Sequence, residues 1–177
     1  MVDGDRQDQS PVRAPTRADL VRICHDLNQR DAKYIVLGGM ALIEMGLDRG
    51  TMDIDFLVDK EDENVARMCD AISLLPDGAA REVMSSDVAE YNVVRIHDDI
   101  TVDLMGSACG IEYAEAAQFI DWREIEGVRI PFASIELLWK TKQTYRDKDM
   151  LDRAFLRTIA ADMERQGRSS GYPARDT

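Results

Sequence analysis

Residues 34–59 read YIVLGGMALIEMGLDRGTMDIDFLVD, and this stretch decides the fold. Tyr34 to Leu37 form a short apolar run of strand length, ended by Gly38 and Gly39. Two glycines at that point let the backbone bend sharply into a following helix, here expected from about Met40 to Met45. A helix opened in this way presents free N–H groups, a seat for phosphate. Asp48-Arg49-Gly50-Thr51 reads as a turn, and Asp53 to Val58 as the next strand. Alternate strand residues share a face, so Asp53 and Asp55 point one way and Ile54 and Phe56 the other. Adjacent like charges repel, and a divalent cation relieves the repulsion by taking carboxylate oxygens. The plainer alternative is a solvated acidic face on an edge strand, which the apolar run Phe56-Leu57-Val58 opposes.

A third acid stands in a similar setting. In Ile100-Thr-Val-Asp-Leu-Met105, Ile100, Val102 and Leu104 share one face, and Thr101 and Asp103 the other. If this strand lies beside the first, Asp53, Asp55 and Asp103 converge. Such a triad is able to hold two Mg²⁺ (or Mn²⁺) ions about 3.5–4 Å apart, one on a triphosphate and one on an attacking hydroxyl. Asp103 would be the natural partner of that hydroxyl.

Around these strands the pattern is of short helices and hairpins. Thr16 and Asp19 fit a capping box, and Leu20, Ile23, Cys24 and Leu27 form one helical stripe. A helix is expected from about Asp62 to Leu75. Hairpins are expected over Asn92–Met105 and over Asp121–Phe132, the second turning at Glu126-Gly127. A short helix near Tyr113–Gln118 separates them. Ser134 caps a helix with Glu136 early and Lys140 and Lys142 late, in keeping with the helix dipole. A last helix runs from about Asp147 to Met163, with Met150, Leu151, Ala154, Phe155, Thr158 and Ile159 as its apolar stripe. The fold class is α+β, a small mixed sheet flanked by helices with a C-terminal helical segment. Residues 1–15 read as a disordered lead-in, 16–165 as one domain, and 166–177 as a flexible tail.

Composition bounds the function. Of 177 residues, 45% are apolar and 32% charged, enough for a core. The net charge of -12 disfavours a broad nucleic-acid footprint, although a local basic patch lies near residues 140–157. No apolar run is long enough for a membrane, and the start has no apolar core of a secretory signal, so a cytoplasmic protein is expected. Cys24, Cys69 and Cys109 have no metal or disulfide spacing and read as three buried thiols in a reducing compartment. His25 and His97 have no nucleophile or second His at a useful spacing and read as surface or structural groups.

The 34–59 segment resembles the signature of the nucleotidyltransferase (DNA polymerase β-like) superfamily: a glycine pair opening a helix, Asp-x-Asp, then a third Asp on a later strand. The Gly38-Gly39-Met40-Ala41 variant, together with "LLWKTKQTYRDKDMLD" at 137–152, looks like the branch holding the AbiEii-type toxins of toxin–antitoxin systems and their relatives. The likeness runs from about residue 16 to 160. It implies a nucleotidyltransferase fold and a Mg²⁺-dependent enzyme that binds ATP or another NTP and moves a nucleoside monophosphate to a hydroxyl of an RNA end, a protein or a small molecule. An antitoxin partner is implied at the family level alone. By the same resemblance, Asp53, Asp55 and Asp103 would be metal ligands and catalytic groups, and Gly38 and Gly39 would contact the triphosphate. Arg49 and Thr51 fit the branch as nucleotide-binding positions. Lys142, Arg146 and Lys148 match basic positions near the phosphates, with Asp149 and Asp152 beside them. Met40 stands where relatives carry a hydroxyl. The alternative is a catalytically weak nucleotide- or protein-binding module on the same fold.

Overall fold

A computed structural model of the protein describes residues 11–172. The expectations for 1–10 and 173–177 lie outside the described residues. The elements are α1 (Arg17–Asn28), β1 (Tyr34–Val36), α2 (Gly38–Glu44), β2 (Asp53–Val58), α3 (Asp62–Ile72), α4 (Asp87–Glu90), β3 (Val94–His97), β4 (Thr101–Met105), β5 (Ser107–Ala108), β6 (Ile111–Glu112), α5 (Tyr113–Ala116), β7 (Ile120–Ile125), β8 (Val128–Ala133), α6 (Ile135–Thr141) and α7 (Asp147–Arg165).

Six strands form one sheet in the order β3-β4-β2-β1-β8-β7. Its pairings alternate. The β3–β4, β1–β2 and β7–β8 pairs are antiparallel, while β2–β4 and β1–β8 are parallel. This is the expected α+β layout, a mixed sheet with flanking helices. The two hairpins supply the outer strands, and the segment between the glycines and Asp-x-Asp places β1 and β2 side by side at the centre. Ile54, Phe56 and Val58 on one face of β2 are fully buried, as is Leu57 on the other. Side chains of this size each stabilise the fold by about 1.5–3 kcal/mol when taken from water.

Helix α1 begins as its sequence dictates. Thr16 Oγ1 accepts from Asp19 N–H, and the Asp19 carboxylate accepts from Thr16 N–H, so two otherwise orphaned donors are satisfied. Asp19 also receives both terminal nitrogens of Arg13, at 2.7 and 2.8 Å. Arg13 reaches Asp99 at 2.9 Å as well, which ties the residues ahead of α1 to the β3–β4 turn. The buried face of α1 includes Leu20, Ile23, Cys24 and Leu27, and the helix packs on α3 and β8.

Helix α7 departs from the expected stripe. Its buried positions are Asp149, Asp152, Leu156 and Ala160, with Phe155, Ile159 and Met163 packed alongside. Met150 and Leu151 are exposed. A 3.6-residue period admits both faces, and the apolar stripe was the one visible by hydropathy. Two carboxylates were able to take the inward positions because cations meet them there. Beyond α7, Tyr172 returns to pack its ring on Trp139, 4.6 Å between centroids. Cys109, expected among the buried thiols, is exposed, as is Met52 ahead of β2. Among the described residues no helix is long and apolar enough to cross a membrane.

Candidate functional site

The acids come together through the parallel pairing of β2 with β4. Asp55 is the direct partner of Asp103, and Asp53 pairs with Thr101 one step away. One carboxylate oxygen from each of Asp53, Asp55 and Asp103 lies within 4.8 Å of the others. Asp103 is 4% exposed, whereas Asp53 and Asp55 are partly open to the cleft. Burial, then the charges of Asp53 and Asp103, push the Asp55 carboxyl up to about 6, against the opposing pull of Lys142 and Lys148. The donor set, three close carboxylates of which one is short of positive charge, fits a hard divalent cation such as Mg²⁺.

Gly38 makes this approach possible. Its φ is +62°, and a Cβ there would overlap the Asp55 carboxylate, lying 2.7 Å from Cγ. The Leu37 N–H donates to the Asp55 carbonyl at 2.9 Å and fixes the bend against β2. The first intrahelical bond of α2 is Ala41 N–H to the Leu37 carbonyl, so α2 starts at the glycine pair rather than at Met40. Gly39 serves a different neighbour. A Cβ on it would meet the Thr51 side chain, 2.7 Å from Thr51 Cβ, and Arg49 Nη2 at 3.0 Å.

The cleft above the acids has a volume of about 370 Å³. Gly38 and the three carboxylates line one part of it, Val93, Met105 and Ala108 add apolar surface, and Lys142, Arg146 and Lys148 bring the basic groups. Seven of the positions singled out in sequence therefore share one cavity: Gly38, Asp53, Asp55, Asp103, Lys142, Arg146 and Lys148.

Three others do not line it. Gly39 packs against Thr51, Thr51 donates to the Asp53 carboxylate at 3.2 Å, and Arg49 turns to α7. Arg49 Nη1 lies 2.7 Å from Asp152 Oδ1. Arg49 and Thr51 instead line a separate, largely apolar hollow with Met40, Ile43 and Leu20. Arg49, expected at the nucleotide, is held in an ion pair with Asp152 of α7.

Lys142 has the same character. It is 7% exposed, and its Nζ lies 3.2 Å from Asp149 Oδ1 and 2.9 Å from Asp152 Oδ2. Asp149 also accepts from Thr144 Oγ1 and, at 2.9 Å, from Arg146 Nε. These partners hold the Asp149 carboxyl below the usual range although burial alone would raise it. Arg153 donates to the carbonyls of Lys142 and Thr144, closing the α6–α7 loop. Arg146 and Lys148 remain exposed at the rim.

Arg95 was not singled out in sequence. It stands on β3 directly across from Asp103. Its Nε and Nη2 donate to the two Asp103 oxygens at 2.8 and 2.6 Å, and Nη2 lies 3.6 Å from Asp53 Oδ2. The hairpin turns at Asp98–Ile100, with His97 opposite Thr101, and it is this register that makes Arg95 the cross-strand neighbour of Asp103.

No family model matches the chain, and no curated protein matches it. Among solved structures, the chain is similar to a candidate nucleotidyltransferase from Thermotoga maritima. The two are 16% identical with a TM-score of 0.44, over 89% of this chain and 97% of that one. It is also similar to a candidate nucleotidyltransferase from H. pylori, at 21% identity and a TM-score of 0.46, over 84% of this chain and 72% of that one.

Proposed function

We propose that this chain is a Mg²⁺-dependent nucleotidyltransferase that moves a nucleoside monophosphate from an NTP to a hydroxyl acceptor. The observation that carries the reading is the register match of Asp55 with Asp103, which brings three carboxylates from two strands to within 4.8 Å beside a glycine bend. Asp53, Asp55 and Asp103 would hold Mg²⁺ or Mn²⁺. The ions would neutralise the triphosphate and help ionise the acceptor hydroxyl.

The chain's own residues do the rest by position and charge. Gly38 leaves room for the Asp55 carboxylate at the head of α2 and, having no side chain, lines the cleft with backbone alone. Lys148 and Arg146 at the rim face the charge of the β- and γ-phosphates, with Nε of Arg146 on Asp149 and its terminal nitrogens, without a partner among the described residues, available for a fork. Lys142 shapes the rim from behind. The apolar surface of Val93, Met105 and Ala108 receives the base or the acceptor. The acceptor oxygen attacks the α-phosphorus in line, its proton passes to an Asp103 oxygen, the new O–P bond forms, and the bond to the departing pyrophosphate breaks. An RNA end, a protein side chain or a small molecule offers the required hydroxyl. A toxin role with a partner antitoxin rests on the sequence resemblance alone.

The test incubates the protein with each α-labelled NTP, Mg²⁺ and a cell extract as acceptor source, and follows label transfer and pyrophosphate release. Wild type is expected to label one acceptor class, and Asp55→Asn to lose at least about 100-fold of the rate. Equal labelling by both proteins would overturn the reading. Nucleotide binding without transfer would move it to the binding-module alternative.

A further inference from the structure

Arg95 is a cation already seated where a metal ion would be drawn. Its guanidinium engages both oxygens of the Asp103 carboxylate and approaches Asp53. Among the described residues, the ion pairs of Asp53 and Asp103 run to Arg95 alone, and Asp55 has none. The side chain lines the cleft and is half exposed, on the outermost strand of the sheet, so it has room to leave. Lys142, which also lines the cleft, is committed to Asp149 and Asp152.

A carboxylate with both oxygens in an arginine fork has little left for a metal, and a positive charge beside the ion's position opposes its entry. We propose that Arg95 is a resident counter-ion of the acidic triad, which a divalent cation displaces from Asp103 when it binds. The inference rests on the catalytic reading of this cleft and adds a step to it. With no metal the arginine offsets the charge of Asp103 and, at longer range, of Asp53. With metal it swings off Asp103 into the cleft, where its charge is available to the triphosphate. Arg95 thereby sets the metal concentration at which the site assembles.

Titration calorimetry with MnCl₂ alone, on metal-free wild type, Arg95→Ala and Arg95→Lys, tests this without any turnover. Displacing a charge-assisted fork opposes metal entry, so Arg95→Ala is expected to bind Mn²⁺ tighter than wild type by about tenfold to a hundredfold. Arg95→Lys, which keeps the charge but loses the fork, is expected between the two. Arg95→Gln is read by the same rule should the alanine variant not fold. Equal affinity would show that Arg95 does not compete, and weaker affinity that it positions Asp103 for the ion. Either result overturns the proposal and leaves the catalytic reading standing. Absence of Mn²⁺ binding in every variant overturns both.

Discussion

Asp55 and Asp103 are register partners on neighbouring parallel strands, so their carboxylates rise side by side from the same face of the sheet. Like charges in that relation are unfavourable unless something intervenes. Arg95 serves Asp103, and Asp55 is left with its carboxyl raised to about 6.

The pH dependence of stability follows. A carboxyl whose folded value exceeds its unfolded 3.8 is a destabilising charge. That cost is present in full above pH 6, fades as pH falls toward 4, and is absent below. In metal-free buffer Asp55→Asn is therefore expected to be more stable than wild type at pH 7 to 8, by roughly 2–3 kcal/mol. The difference should close by about pH 4. Urea denaturation of both proteins across that range checks it. A gap that stays constant with pH would contradict the assignment.

Gly38→Ala meets two obstacles. Alanine is strained at a φ of +62°, and its methyl would overlap the Asp55 carboxylate. The expected loss is about 2–4 kcal/mol of stability, measured by denaturation. The stabilisation that wild type gains from Mn²⁺ should vanish with it. Gly46→Ala is the control for conformation without crowding: φ is +101° there, and the space is open.

The basic residues near the cleft should separate by role. Lys142→Ala leaves Asp149 and Asp152 buried with less positive charge and is expected to cost about 3–5 kcal/mol. Lys148→Ala lies on the exposed rim and should change stability by no more than about 0.5 kcal/mol. Titration with an NTP and Mg²⁺ should nonetheless show weaker binding for Lys148→Ala. If Lys142→Ala proves neutral in denaturation, its ion pairs are not holding the loop.

At the start of α1, Arg13 above all, with Thr16, holds the Asp19 carboxyl well below the usual range. A depressed carboxylate contributes stability above its unfolded value near 4 and loses that contribution as pH falls. Asp19→Ala, which also opens the capping box, is expected to cost about 1–2 kcal/mol at pH 7. The cost should shrink in acid below about pH 3, as thermal melts of the two proteins at several pH values would reveal.

Much of this architecture was legible in the chain. The 34–59 segment gave away its bend and the shared face of Asp53 and Asp55, because strand alternation and paired glycines are local rules. Both hairpins were readable for the same reason, and β2 runs over the residues expected. The pairing of β2 with β4 was a conditional, since parallel neighbours are chosen by the whole sheet and not by either strand. Charged residues were harder to place. Asp149 and Asp152 look like surface groups in any hydropathy pattern, and their burial depends on Lys142 and Arg49, distant in sequence or on another element. Arg95 was hidden in the same way: its meaning lay in the residue opposite, not in its own neighbours.

The attachment of α7 has a practical bearing on where the polypeptide can be shortened. Its opening turns are moored by charge: Asp149 and Asp152 against Lys142, Arg49 and Arg146. A version cut just ahead of α7, after Arg146, would strand an arginine beside the glycine corner and a lysine under the rim, both without the anions that α7 supplies. The last helix is thus a keystone for the cleft whose rim its own Lys148 helps to form.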